Sequence, residues 1–250
     1  MTAHPPPLTL PAPDMFWDPA AAVIDPDIPP RVAADPLYRW VLGHQIAFGV
    51  WRLIADNLAE IASGGKPDFD PAWLFDQYSI LLLYTGSFTE IVYRERIRPS
   101  MMAADPAFSG RWGRDYHRVL RMLEAAKPHD TVLRDALLRN RRVHIAVARR
   151  LVPEGGSLLR DAGRASAPVT DAEFDIFDTY FGVRRAPCDR RGFLRSLASR
   201  AQAAHDDLVE TPPAARLRGQ VAVAPDGLHQ PLLDLAATIA EAANNPKENV

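Results

Sequence analysis

The chain has 250 residues, 47% of them hydrophobic and 24% charged, with a formal net charge of −2. That is long enough for one large core and too acidic for a general nucleic-acid binder, which is ordinarily basic. One cysteine excludes a disulfide framework and any cysteine-clustered zinc or iron–sulfur site. No apolar run reaches the about eighteen residues of a membrane span, and the N-terminus lacks the basic-then-apolar order of a signal peptide, so a cytoplasmic protein is expected.

Residues 1–36 hold ten of the 23 prolines. A segment so rich in proline is expected to be an extended arm that neither forms helix nor pairs as a strand. Within it Met15, Phe16 and Trp17 are apolar enough to dock on the body or on a neighbouring subunit. The body should span 37–243 as one domain, followed by a frayed tail at 244–250.

The first helix is expected from about Asp35 to Ser63, with Pro36 in its first turn and Gly64-Gly65 as its stop. Leu37, Val41, His44, Phe48, Trp51, Ala55, Leu58 and Ala62 share one face of it. A second helix opens near Pro71 and ends before Pro99. Residues 100–116 read as a loop holding two large aromatics, Phe108 and Trp112. A short helix follows from Tyr116 to Ala126, and a longer one from Asp130 or Thr131 to just before Pro153. On the longer one Leu133, Leu137, Asn140, His144, Val147 and Leu151 form another stripe. Thr170-Asp171-Ala172-Glu173 reads as a capping box opening a helix that ends at Gly182. Further helices fit Asp189 to Val209 and Pro231 to Ala243. With no alternating β-branched run, the expected fold is an all-α bundle.

An imidazole on a core-facing stripe must find a partner or line a cavity, because burying it unpaired is costly. His44 and His144 both pose that problem, and each is open to two readings: a satisfied core histidine, or a group facing a cofactor. One imidazole nitrogen can bind a metal while the other donates the hydrogen bond that fixes its tautomer. Arg141 and Arg142, beside His144, can pair with the carboxylates of a haem or can form a solvated basic face. His117 is a reserve ligand, and Cys188 reads as a packing or surface cysteine. Phosphate-loop, dinucleotide, zincin and nucleophile-elbow motifs are absent.

His44-Gln45-x-x-Phe48-x-x-Trp51, followed by Tyr93-Arg94-Glu95-Arg96-Ile97, resembles the tryptophan 2,3-dioxygenase-like haem enzymes. The segments Tyr84-Thr85-Gly86-Ser87, Arg98-Pro99-Ser100-Met101-Met102 and Pro106-Ala107-Phe108-Ser109-Gly110-Arg111-Trp112 are closer to one branch, the bacterial haem-dependent L-tyrosine 3-hydroxylases. The resemblance covers about residues 37–160. It implies a bundle closed around haem b, with His144 as iron ligand and His44 on the opposite, distal side, hydrogen-bonding the phenol or relaying a proton from peroxide, the latter role needing a pKa near working pH. Arg94, or failing that Arg98, would bind the carboxylate of an aromatic amino acid. Phe48, Trp51 and Phe108-Ser109-Gly110 would wall the substrate. Arg184 stands four residues before Cys188, where some relatives carry the histidine of a covalent haem motif, so non-covalent haem is expected. The implied activity is conversion of L-tyrosine to L-DOPA with peroxide, in a homodimer. A tryptophan-directed dioxygenase or rearrangement enzyme, or a haem carrier without turnover, is the alternative.

Overall fold

The computed structural model describes residues 4–21, 28, 35–126, 130–212 and 225–245. Its elements are β1 (Leu8–Leu10), α1 (Pro36–Ala62), α2 (Pro71–Thr85), α3 (Glu90–Val92), a π-turn (Tyr93–Ile97), α4 (Arg98–Ala104), a 3-10 turn (Gly110–Trp112), α5 (Arg114–Ala126), α6 (Thr131–Leu151), α7 (Leu158–Asp161), α8 (Asp171–Tyr180), β2 (Val183–Arg185), α9 (Arg190–Glu210), a second 3-10 turn (Pro225–Leu228) and α10 (His229–Asn244). The all-α expectation holds. The part of the arm between 22 and 34, residue 28 apart, and the tail beyond 245 lie outside the described residues.

Helix starts follow local chemistry. Asp35, Asp70 and Asp130 each accept a backbone N–H two residues on, and Pro36 and Pro71 sit where a missing N–H costs nothing. Thr170 and Glu173 form the reciprocal capping box. At the end of α1, Gly64 takes φ +82°, a left-handed conformation suited to glycine.

α1 is the central helix. It packs on α2, α5 and α9, and α2 in turn lies against α6, so the two candidate histidines stand on helices with α2 between them. Because α1 is covered on most sides, it buries far more than the expected stripe, including Arg39, Gln45, Arg52 and Asn57. Each has partners: Arg39 Nε donates to Asp207 Oδ2 at 2.6 Å and Nη1 to Ser87 Oγ at 2.9 Å. Removing one member of such a buried ion pair costs about 3–5 kcal/mol.

Two expectations are corrected. The arm does pair as a strand: Leu8, Thr9 and Leu10 lie in parallel register with Val183, Arg184 and Arg185. Three consecutive residues free of proline retain their N–H groups, which suffices for a short ladder. Leu8 and Leu10 are fully buried. Trp17 docks on the body, stacked on Phe193 at 4.7 Å with Nε1 donating to Asp56 Oδ2 at 3.1 Å, whereas Met15 and Phe16 are 61% and 90% exposed.

The second correction concerns Pro99. The helix expected to stop before it instead breaks earlier, at Gly86, and helical backbone then runs on through Pro99 to Ala104. The π-turn explains this. A helical proline clashes with the carbonyl four residues back, and a widened turn at 93–97 relieves the clash around Glu95.

Candidate active site

His44 lies half-buried on α1. Its Nδ1 is 2.7 Å from the Trp40 carbonyl one turn back, which makes Nδ1 the protonated nitrogen and leaves the lone pair on Nε2. Its ring stacks on Phe181, centroids 4.1 Å apart and planes 10° apart, with Trp40 at 4.2 Å on another side. Burial lowers its pKa from 6.5 to about 4, against the opposing pull of the Trp40 carbonyl. A pKa near working pH was expected of a proton relay. At neutral pH the ring is instead an uncharged acceptor.

Phe181 is held by the residue after His44. Gln45, fully buried, donates Nε2 to the Phe181 carbonyl at 3.0 Å and to the Pro6 carbonyl at 3.2 Å, while Oε1 accepts from Arg200 Nε at 3.2 Å. Arg200 Nη2 reaches the Pro6 and Pro7 carbonyls at 3.0 and 2.8 Å. The arm is therefore part of the wall behind His44.

Trp40 leads outward to Tyr93, ring centroids 6.1 Å apart, and Tyr93 lines a cavity of about 340 Å³ with Arg94, Arg98, Leu151 and Val152. π-turns are rare and recur at functional sites. Of the two carboxylate candidates, Arg94 is 58% exposed and loosely paired with Glu90 and Glu95, at 3.5 and 3.4 Å. Arg98 is 24% exposed and pairs with Asp161 at 3.2 Å. A larger cavity, about 800 Å³, lies by the C-terminal half of α1. Three of its five cations, Arg52, Arg118 and Arg190, are already matched to Asp56 and Asp68, and it is remote from His44 along the helix.

Phe48 and Trp51 are buried in an aromatic core with Phe177, Tyr78 and Tyr116, and neither borders these cavities. Phe108 belongs to the same core and touches Tyr180 at 4.7 Å, whose hydroxyl is 3.0 Å from Ser100 Oγ. Ser109 caps the 3-10 turn by accepting from Arg111 N at 3.2 Å, and Gly110 is exposed.

His144 departs from expectation. Its stripe neighbours Leu133, Asn140, Val147 and Leu151 are buried, but His144 itself is exposed, because α2 covers only part of α6. Neighbouring side chains still desolvate its ring enough to lower its pKa. Arg141 and Arg142 are exposed as well. His117 Nε2 is tied to the Arg111 carbonyl at 2.7 Å. Cys188 is buried beneath the arm, its Sγ 4.0 Å from the Thr9 carbonyl.

The donor set fits a histidine-bound haem. A neutral imidazole with Nδ1–H on a backbone carbonyl and a lone pair on Nε2 is what iron ligation or peroxide binding requires. Beside it, Trp40 Nε1 is sealed from solvent.

The fold and site thus define a helical protein with an uncharged imidazole in an aromatic box beside a cavity lined by two arginines and two glutamates, Glu90 and Glu154. The SfmD 3-methyl-L-tyrosine peroxygenase family model matches residues 3–139, more than half of the chain, and the chain belongs to that family. It is accordingly an oxidoreductase, a haem-dependent peroxygenase that hydroxylates a tyrosine-like substrate in natural-product biosynthesis. Nothing among the curated proteins matches the chain. The matched stretch includes the arm, His44, Arg94, Arg98 and the Phe108-Ser109-Gly110 loop, and ends before Arg141, Arg142 and His144. Among the described residues no helix is long and apolar enough to cross a membrane.

Proposed function

We propose that this protein binds haem b without a covalent link and uses hydrogen peroxide to hydroxylate the ring of L-tyrosine or a ring-methylated tyrosine. One ring C–H becomes C–OH, and the peroxide's second oxygen leaves as water. Haem, when bound, supplies the activation of peroxide. The observation that carries the reading is His44: neutral, held at Nδ1, and ready at Nε2 to accept a hydrogen bond from the phenol or from peroxide. Arg98, the less exposed of the two arginines, clamps the α-carboxylate, with Arg94 at the rim. The buried Cys188 and the arginine at 184 support a non-covalent haem. We further propose a cytoplasmic homodimer, the exposed Met15 and Phe16 meeting the partner, and a wider kinship with the tryptophan 2,3-dioxygenase-like enzymes.

The iron ligand has two readings. The family resemblance favours His144, flanked by Arg141 and Arg142 as partners for the haem carboxylates. The Nδ1–carbonyl bond favours His44 itself, since that arrangement fixes the tautomer of a metal-binding imidazole. Haemin titration of His144→Ala and His44→Ala separates them. If His144 is the ligand, its loss removes most haem binding while His44→Ala keeps haem and loses turnover. The reverse pattern makes His44 the ligand. Equal haem binding by both variants would sink both assignments. A shift of the Soret band with L-tyrosine but not with L-tryptophan fixes the substrate class.

A further inference from the structure

Near its C-terminal end α6 carries a half-buried arginine, Arg150, two of whose nitrogens are out of reach of water. Arg150 Nη1 donates to the Phe88 carbonyl, but Nε and Nη2 are sealed from solvent and make no hydrogen bond. No carboxylate among the described residues pairs with it. Other guanidiniums that reach the interior hold fuller sets of partners; fully buried Arg200, for one, bonds Gln45, Ser196 and the Pro6 and Pro7 carbonyls. Arg39 has Asp207, Ser87 and Thr211, Arg52 has Asp56 and three carbonyls of the arm, and Arg185 has Asp115 and Asp178. Buried charged donors left unmade are costly and uncommon, so one that persists calls for a reason.

Its position supplies one. Leu151 and Val152, which follow Arg150 directly, line the cavity shared with Tyr93, Arg94 and Arg98. Phe88, whose carbonyl it holds, precedes by two residues Glu90, which also lines the cavity. A guanidinium on a long flexible stem can turn from that carbonyl toward the cavity, and its planar donors match a carboxylate bidentately. Burial already pushes its pKa below the ordinary arginine value, the direction expected of a cation awaiting an anion.

We infer that Arg150 is an anion-binding residue of this cavity and takes a carboxylate, either a haem propionate or the α-carboxylate of the amino-acid substrate. The inference rests on the proposed function for the presence of such a ligand. It also adds to the cavity a residue that lies beyond the stretch matched by the family.

Arg150→Met keeps the stem and removes the charge. The expected signature is a melting temperature of the apoprotein that stays or rises, because an uncompensated buried charge is gone, together with a ligand affinity lower by roughly tenfold or more. Apoprotein titrated with haemin and with its dimethyl ester, and haem-loaded protein titrated with L-tyrosine and with tyramine, identify the carboxylate. Loss of the preference for haemin assigns the propionate, and loss of the preference for L-tyrosine assigns the substrate. Arg150→Gln, which keeps a donor for the Phe88 carbonyl, reports the same preferences if the Met variant is unstable. Both preferences intact in both variants would overturn the inference and leave Arg150 as a tie between α6 and the Phe88 turn. Wild-type protein that takes up neither haemin nor tyrosine would overturn the functional reading first.

Discussion

The ring of Phe181 lies parallel to that of His44, 4.1 Å away, and its backbone carbonyl is fixed by Gln45, the next residue along α1. Two adjacent residues of one helix thus reach the same aromatic, one through its face and the other through its main chain. Gln45→Met should lose two donors and free Phe181, costing about 1–3 kcal/mol of stability and on the order of tenfold in kcat. In a Phe181→Leu background the kcat effect should largely vanish. Additive losses in kcat, measured as a double-mutant cycle, would mean that Gln45 does not act through Phe181.

The depressed pKa of His44 gives the apoprotein a defined acid response. The folded state refuses a proton until about pH 4, whereas the unfolded chain takes it near 6.5. The contribution is therefore fully present above 6.5 and is lost as pH falls from 6.5 toward 4. At full size the difference is worth about 3 kcal/mol, less for a half-buried ring. Urea unfolding at pH 7 and pH 5 should show wild type losing more stability than His44→Gln. Equal losses would show that the imidazole titrates normally.

Gly43 sets how closely α1 approaches α2 immediately before His44. A Cβ there would lie 2.2 Å from Thr85 Cγ2 and 2.9 Å from Tyr84 Cδ1. Gly43→Ala should destabilise by about 1–3 kcal/mol through overpacking. Adding Thr85→Ser removes the clashing methyl but keeps the hydroxyl bonded to the Leu81 carbonyl, and should recover part of the loss in a thermal melt. No recovery would place the strain elsewhere.

Helix starts were legible wherever a short polar side chain met a backbone N–H, as at Asp35, Asp70, Asp130 and Thr170. His44 was legible too, because helical spacing placed it among Val41, Phe48 and Trp51. His144 was misjudged by the same rule: periodicity says which residues share a face, not how much of that face a neighbour covers. The strand at Leu8–Leu10 is too short to show alternation, and its partner begins at Val183. Phe181 and Arg150 gave no local sign. One gains its role from Gln45, 136 residues away. The other stands out only by the bonds it lacks.

The parallel pairing of Leu8 with Val183 also dictates an order of events. During synthesis the first strand must wait, with Leu8 and Leu10 bare, until Val183 and its neighbours have been made. Arg200, which grips Pro6 and Pro7, emerges later still. Helices with local contacts can form early, but ladders between distant segments are slow to close. The wall behind His44 is therefore among the last parts of the molecule to assemble, and a chain interrupted before Arg200 would hold most of its helices and no finished enclosure for that imidazole.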